Sequence, residues 1–89
     1  MKSVLQTTTN ECYVCHKTGT LHPHHIFNGA LKKKSEEYGF IIYVHDIPCH
    51  RNIHDKPNEA IKYKKIAQRV FEEQHTREQF LKEFKKNYL

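Results

Sequence analysis

Residues 40–54 read FIIYVHDIPCHRNIH, and this stretch decides the fold. It begins with β-branched and aromatic residues that follow Gly39, so the pattern predicts a β-strand over residues 40–44. Pro48 then breaks the strand, and a helical turn is expected over residues 49–55. A strand followed by a helical segment indicates a chain that combines both kinds of secondary structure, as an α+β domain does.

Two histidines of this stretch, His50 and His54, are four residues apart. On a helix that spacing places both imidazoles on one face, where they can bind a single metal ion. Taken alone, such a pair is more often two surface histidines than a metal site. The metal interpretation therefore depends on what else the chain provides.

A second histidine pair lies upstream, in the stretch LHPHHIF at residues 21–27. Its apolar ends and internal proline favour a short extended segment over a helix, and Asn28-Gly29 predicts a turn after it. Adjacent strand residues point to opposite faces, so His24 and His25 should differ in role. We expect one to bind a metal and the other to face a water or substrate. The alternative is a polar pair on an exposed strand.

The segments around these histidines are less specific. Residues 1–10 are expected to form a loose arm or a short edge strand. The sequence Cys12-Tyr-Val-Cys15 after them predicts a knuckle-like turn. Residues 30–37 are basic and are expected to form a loop or a helical turn that Gly39 closes.

The C-terminal part of the chain predicts two helices that serve mainly as scaffold. Asn58 is expected to cap a helix that runs to about His75, and Thr76 with Gln79 forms a capping-box pair for the last helix. The residues predicted to face the core are Ala60, Ile61, Ile66, Ala67, Val70 and Phe71 in the first helix and Phe80, Leu81, Phe84 and Tyr88 in the second.

Length and composition limit the possibilities. The 89 residues are expected to form one domain, with an arm at 1–10, a knuckle and core at 11–56 and a helical extension at 57–89. The net charge of +5 suits a phosphate backbone without being specific for one. Three cysteines cannot complete a disulfide framework, and we find neither a signal peptide nor a long apolar run. We therefore expect a cytoplasmic chain with reduced thiols and no membrane partner.

Taken together, the His24-His25-Ile26 segment, the turn, the β-branched strand and the HxxxH pattern resemble the active site of the HNH (ββα-metal) endonuclease superfamily. The resemblance extends from about Cys12 to His54, and its HxxxH form is similar to that of small phage-type and colicin-like nucleases. It implies a β-hairpin packed on a helix around one divalent cation. In this chain a zinc knuckle would precede that motif and two helices would follow it.

The resemblance also implies roles for individual residues. His24, His50 and His54 would bind the cation, and His25 would be the general base that takes a proton from the attacking water. The candidate ions are Mg²⁺, Mn²⁺, Ni²⁺ and Zn²⁺, and three imidazoles suit the transition metals better than Mg²⁺. The implied function is hydrolysis of phosphodiester bonds in DNA, with RNA as a second possible substrate. A homodimer or phage and recombination machinery are the partners expected.

A second, structural metal site is predicted from the cysteines. Cys12, Cys15 and Cys49 would supply three thiolates to zinc, which needs a fourth ligand. Family spacing places that ligand at Asp46, whereas ligand chemistry favours the neighbouring His45, because Cys3His is a common zinc set. In the alternative interpretation Cys49 is a buried apolar residue and the CxxC pair binds nothing.

One position departs from the family pattern. The middle Asn, which helps to orient the base histidine, corresponds to Ile41 here, and no Asn occurs between Asn28 and Asn52. Either another group, such as His45 or a backbone carbonyl, orients His25, or the site is impaired. Two alternatives to a nuclease follow: a catalytically inactive module that binds nucleic acid or protein, and a zinc finger used only for interaction.

Basic residues near these motifs are candidate phosphate contacts. A lysine run follows the predicted turn, and two further cations flank the HxxxH segment. Contacts of this kind position a duplex without reading its bases, so little sequence specificity is expected. A charge run can equally be a solvated face. The candidates are Lys32, Lys33, Lys34, Arg51 and Lys56.

Overall fold

The computed structural model describes residues 3–7 and 10–89 and has the predicted α+β class. It contains a two-stranded antiparallel sheet and four α-helices. In chain order the elements are β1 (His22–His25), α1 (Lys32–Tyr38), β2 (Ile41–Val44), α2 (Arg51–Asp55), α3 (Pro57–Phe71) and α4 (Arg77–Phe84).

The two strands form the centre of the fold. β1 pairs with β2 so that His24 lies opposite Ile42 and His25 lies opposite Ile41. Both isoleucines are completely buried, as their β-branched side chains and apolar neighbours predict. Both strands were predicted, and the second begins at Ile41, one residue later than expected.

α1 connects the strands and is fixed to both of them through the buried Ser35. The Ser35 hydroxyl accepts a hydrogen bond from the Phe27 N–H and donates one to the Phe27 carbonyl, both at 2.9 Å. The Phe40 N–H donates to the Ser35 carbonyl at 2.8 Å. Gly39 ends the helix with φ 74°, a left-handed conformation that glycine adopts without strain. The hydrogen bonds of Ser35 therefore fix the position of α1 relative to the strands.

The turn between β2 and α2 is wide and irregular. The His50 N–H donates to the His45 carbonyl at 2.8 Å, which closes five residues, Asp46–His50, into one turn. Cys49 is buried at its end. The predicted helical turn over residues 49–55 is thus this wide turn followed by α2.

α3 differs from the prediction at both ends. It begins at Pro57, with Lys56 in the N-cap position, so the expected cap at Asn58 is wrong. Proline suits the first turn because that turn has no partner for its N–H groups. The helix ends at Phe71 instead of His75, and Ile61, predicted to face the core, is 39% exposed.

α4 has the predicted capping box. The Gln79 N–H donates to Thr76 Oγ1 at 3.1 Å, and the Thr76 N–H donates to Gln79 Oε1 at 2.9 Å. Phe80 and Phe84 are buried as predicted, whereas Leu81 is 39% exposed, so its assignment to the apolar face was wrong.

An aromatic core joins the C-terminal helices to the hairpin. Phe84 of α4 has its ring centroid 4.5 Å from that of Phe27 and 5.5 Å from that of Phe40. The buried Gln68 of α3 accepts a hydrogen bond from the Tyr88 N–H at 2.8 Å, which holds the end of the chain against α3. These helices therefore serve as the scaffold that the sequence predicts.

The N-terminal segment forms an irregular arm that lies against Gly39 and β2. Val4 donates its N–H to the Gly39 carbonyl at 2.9 Å, and Gln6 Oε1 accepts from the Tyr43 N–H at 2.8 Å. Residues 3–7 and 10 form no strand, and the rest of the predicted arm, residues 1, 2, 8 and 9, lies outside the described residues. Among the described residues, no helix has the length and apolar character needed to span a membrane.

Candidate metal centres

Three histidines from the hairpin and the following helix converge on one point. His24 comes from β1, His50 from the end of the wide turn and His54 from α2. Their nearest ring nitrogens lie within 4.8 Å of one another, and the Nε2 atoms of His50 and His54 are 2.9 Å apart. The structure thus brings together the three residues that the sequence predicted as ligands of a catalytic cation.

The electrostatics of this cluster favour uncharged imidazoles. His24 is only 4% exposed, and burial followed by the nearby His50 and His54 lowers its pKa from 6.5 to about 4. The pKa of His50 is also lowered, by burial first and then by His54. A neutral imidazole has the lone pair that a metal requires, and three of them suit a borderline transition metal. The donor set therefore fits a divalent cation.

Asp46 supports this cluster from outside. Its Oδ1 lies 3.7 Å from His50 Nδ1, within ion-pair distance, while His50 Nε2 faces His54. Asp46 raises the pKa of His50 and so opposes part of the lowering by burial and by His54. Asp46 was the alternative fourth ligand for zinc, and the structure places it beside His50 instead.

A second cluster combines three cysteines and a histidine. The donor atoms of Cys12, Cys15, His45 and Cys49 lie within 4.8 Å of one another, so this group can hold a metal ion. Cys15 Sγ is 3.3 Å from His45 Nδ1, and His45 Nε2 is 3.0 Å from the Thr18 carbonyl. A carbonyl only accepts, so Nε2 carries the hydrogen and Nδ1 offers its lone pair to the cysteines. The set is compatible with structural zinc.

The local backbone explains the shape of the knuckle. The His16 N–H donates to the Cys12 carbonyl at 2.9 Å, and the Tyr13 N–H donates to the Tyr43 carbonyl of β2 at 3.0 Å. Gly19 has φ 133°, and a Cβ there would lie 3.1 Å from His45 Nε2. Only glycine combines that backbone conformation with such a close approach to the imidazole.

The thiols of this cluster differ in acidity. Burial raises the pKa of Cys12, but hydrogen bonds from nearby backbone N–H groups outweigh burial and bring it from 9.0 down to about 6. Burial, and then hydrogen bonds with Cys12 and Cys15, raise the pKa of Cys49 to about 12. In the absence of a metal ion, the chain therefore favours a thiolate at Cys12 and disfavours a second one at Cys49. A cation held here would relieve this conflict, because it would stabilise both Cys12 and Cys49 as thiolates.

His25 lies outside the three-histidine cluster and contacts Glu36 of α1. Its Nε2 is 3.0 Å from Glu36 Oε1. An ionised carboxylate only accepts, so in the neutral imidazole Nε2 donates and Nδ1 keeps its lone pair. His45, one candidate for orienting His25, belongs to the cysteine cluster, so that expectation was wrong. The other candidate was a backbone carbonyl, and the contact found at Nε2 is with the Glu36 side chain.

Two of the candidate phosphate contacts already pair with carboxylates of the chain. Lys34 pairs with Glu83, which raises the pKa of the lysine and lowers that of the carboxyl. Arg51 lies 3.5 Å from Asp55 in an i,i+4 pair. The remaining candidates, Lys32, Lys33 and Lys56, are exposed.

Sequence reasoning missed two carboxylates beside the histidines: Glu36 altogether, and Asp46 as a neighbour of His50. Glu36 is 11 positions from His25 and lies in a charged run that suggests only solvent exposure. Asp46 is four positions before His50, a spacing that signals a helical ion pair. That signal was available for Asp46, whereas none existed for Glu36.

Comparisons of the chain with protein-family models, with curated proteins and with solved structures give no match. The interpretation of both clusters therefore depends on their own geometry and chemistry.

Proposed function

We propose that this chain is a metal-dependent endonuclease of the HNH (ββα-metal) type that hydrolyses phosphodiester bonds in DNA. The observation that carries the proposal is the division between two adjacent histidines. The buried His24 joins the three-histidine cluster, while His25 stands beside it with Nε2 on a carboxylate. A purely structural metal site has no use for a second histidine with a free lone pair.

The arrangement of elements supports the same proposal. An antiparallel hairpin supplies His24, and the helix that follows the second strand supplies His54, with His50 directly before it. A hairpin and a helix around one cation are what the ββα-metal motif requires.

The chemistry assigned to the chain follows from these positions. His24, His50 and His54 would hold the divalent cation, which when bound stabilises negative charge on the phosphate and the leaving oxygen. His25 Nδ1 accepts a proton from a water molecule, whose oxygen attacks phosphorus as the P–O bond to the leaving oxygen breaks. We expect a transition metal to serve better than Mg²⁺, because the ligands are nitrogens.

We propose a structural role for the second cluster. Zinc held by Cys12, Cys15, His45 and Cys49 would fasten the knuckle to the segment that follows β2. Cys49 and His50 are adjacent in the chain, so a fixed Cys49 also limits the movement of His50.

Binding of the DNA backbone is assigned to the exposed cations, with Lys32, Lys33 and Lys56 the freest of them. The excess of positive charge over the whole chain supports this assignment. RNA, a homodimer, and phage or recombination machinery stay as further expectations about substrate and partners.

The test is a plasmid cleavage assay with wild type, His25→Ala and His75→Ala in EDTA, Mg²⁺, Mn²⁺, Ni²⁺ and Zn²⁺. His75 is an exposed histidine in the turn between α3 and α4, so its replacement is the matched control. We expect metal-dependent nicking or linearisation by wild type and His75→Ala and its loss in His25→Ala. Equal cleavage by His25→Ala would exclude His25 as the base.

A second candidate function is a catalytically inactive module that binds nucleic acid. The observation that favours it is Ile41, a completely buried apolar residue opposite His25 where the family has Asn. Folded, metal-loaded protein that binds DNA but cleaves it with none of these ions would establish this alternative.

A further inference from the structure

The contact between His25 and Glu36 is built into the fold. Ser35, next to Glu36, makes two hydrogen bonds with Phe27, which lies two residues after His25. These hydrogen bonds hold the two ends of the segment between His25 and Glu36 close together. Glu36 reaches His25 from a helix whose position these bonds fix.

Across the hairpin, the residue opposite His25 offers no alternative partner. Ile41, its neighbour in the strand register, has an apolar side chain and is completely buried. The His25 side chain is 11% exposed and that of Glu36 is 43% exposed, so the carboxylate lies on the outer side of the ring. Nε2 is thus turned towards Glu36, and Nδ1 is the nitrogen left for a water.

We infer that Glu36 is a positioning residue for His25, holding its ring in the orientation and tautomer that leave Nδ1 unprotonated. This inference rests on the proposed function, in which His25 is the base. It gives the chain a substitute for the Asn that the family has at the position of Ile41. The substitute comes from the helix between the strands instead of from the second strand.

The rival interpretation is an ordinary surface ion pair. Such pairs contribute little to stability, and the loss of one does not slow a chemical step. A positioning role has a distinct signature: without the carboxylate, the imidazole hydrogen redistributes between the two ring nitrogens. Both the tautomer and the chemical step should respond.

The experiment compares Glu36→Ala, Glu36→Gln and a control, Glu37→Ala, which removes the neighbouring exposed carboxylate of the same helix. Imidazole ¹⁵N chemical shifts of His25 in the zinc-loaded protein report the tautomer, and plasmid cleavage gives kcat and KM. Circular dichroism verifies that each variant folds. Glu36→Gln keeps the shape and an accepting oxygen, so it guards against a loss of folding in Glu36→Ala.

We expect the Nε2-protonated tautomer in wild type, in Glu37→Ala and largely in Glu36→Gln. In Glu36→Ala a fraction protonated at Nδ1 should appear, and kcat should fall about 10- to 100-fold, the usual effect of losing an orienting partner. KM should change less than about twofold, because the inference gives Glu36 a contact with His25 and none with the substrate. Glu36→Gln should recover most of the lost rate.

Two results would overturn the inference. An unchanged tautomer and kcat in Glu36→Ala would reduce the contact to a surface ion pair, while wild-type cleavage would leave the proposed function intact. Equal losses in Glu36→Ala and Glu37→Ala would assign the effect to the charge of α1. If wild type cleaves nothing, the function fails, and the chemical shifts still decide whether Glu36 sets the tautomer.

Discussion

His24 and His25 have the same chemistry and adjacent positions, and the alternation of a β-strand separates them. His24 turns inwards and is 4% exposed, whereas His25 turns towards Glu36 on α1. The sequence predicted this division from the strand pattern. It could not predict Glu36, because the contact depends on how Ser35 attaches α1 to the strand ends.

The buried His24 should make stability depend on pH. Its pKa is about 4 in the folded chain against an ordinary 6.5, so the unfolded chain binds this proton first as pH falls. The contribution of His24 to the free energy of unfolding should therefore decrease between pH 6.5 and 4 and change no further below that, because this group is then protonated in both states. The loss for a shift of this size is up to roughly 3 kcal/mol.

Urea unfolding of wild type and His24→Leu at a series of pH values measures this contribution. Both proteins should carry one equivalent of zinc, so that loss of zinc from the cysteines in acid is common to both. We expect the difference in unfolding free energy between them to change across the stated window. Parallel curves would show that the folded chain does not discriminate against a charged His24.

Whole elements were easier to predict than their ends. Both strands, α3 and α4 were expected from apolar periodicity and turn residues, because those signals are local. The end of α3 at Phe71 is not marked by that periodicity: Glu72 just beyond it accepts hydrogen bonds from Gln68 of the helix and from Arg77 of α4. A pattern that continues to His75 contains no sign of that interaction.

Periodicity also predicted only in part which apolar residues of a helix are buried. Ile61 and Leu81 fit the apolar stripe of their helices by periodicity, yet each is 39% exposed. Ala67 and Phe80 of the same helices are completely buried, so the rest of the fold covers only part of each stripe. The width of the covered part depends on packing, which periodicity does not report.

The N-terminus of α4 offers a test at the level of a single element. Thr76→Ala removes the hydroxyl that accepts from the Gln79 N–H and leaves that donor without its partner. We expect a loss of about 1 kcal/mol in the free energy of unfolding, the typical value for such a cap. Thr20→Ala, at an exposed position outside helices and strands, is the control and should change it little. Equal losses in urea unfolding would contradict a capping contribution.

Over the whole molecule, the aromatic core holds one part of the chain together, and the cysteine cluster is proposed to hold the other. The C-terminal helices pack on the hairpin through Phe27, Phe40 and Phe84. The knuckle has fewer such contacts, and a metal ion held by the cysteine cluster would join it to the residues after β2. A chain of 89 residues buries a limited core, so this metal link should contribute much of its stability.

Removal of zinc by a strong chelator should therefore lower the melting temperature of the whole domain. Without the cation, the pKa of Cys49 is raised beside the Cys12 thiolate, so Cys49 stays protonated. The metal link between the knuckle and the segment after β2 is then lost. Metal binding that occurs only in the folded state adds its free energy to folding. In a domain of this size each kcal/mol corresponds to roughly 4–8 °C, so we expect a decrease of more than about 10 °C.

Two variants identify which cluster is responsible for this decrease. Cys15→Ser removes an exposed thiol ligand, so it should melt low and respond little to the chelator. His54→Ala disrupts only the three-histidine cluster and should keep most of the chelator-dependent decrease. The opposite pattern, with the decrease kept in Cys15→Ser and lost in His54→Ala, would mean that the histidine cluster is the structural site. The roles proposed for the two clusters would then have to be exchanged.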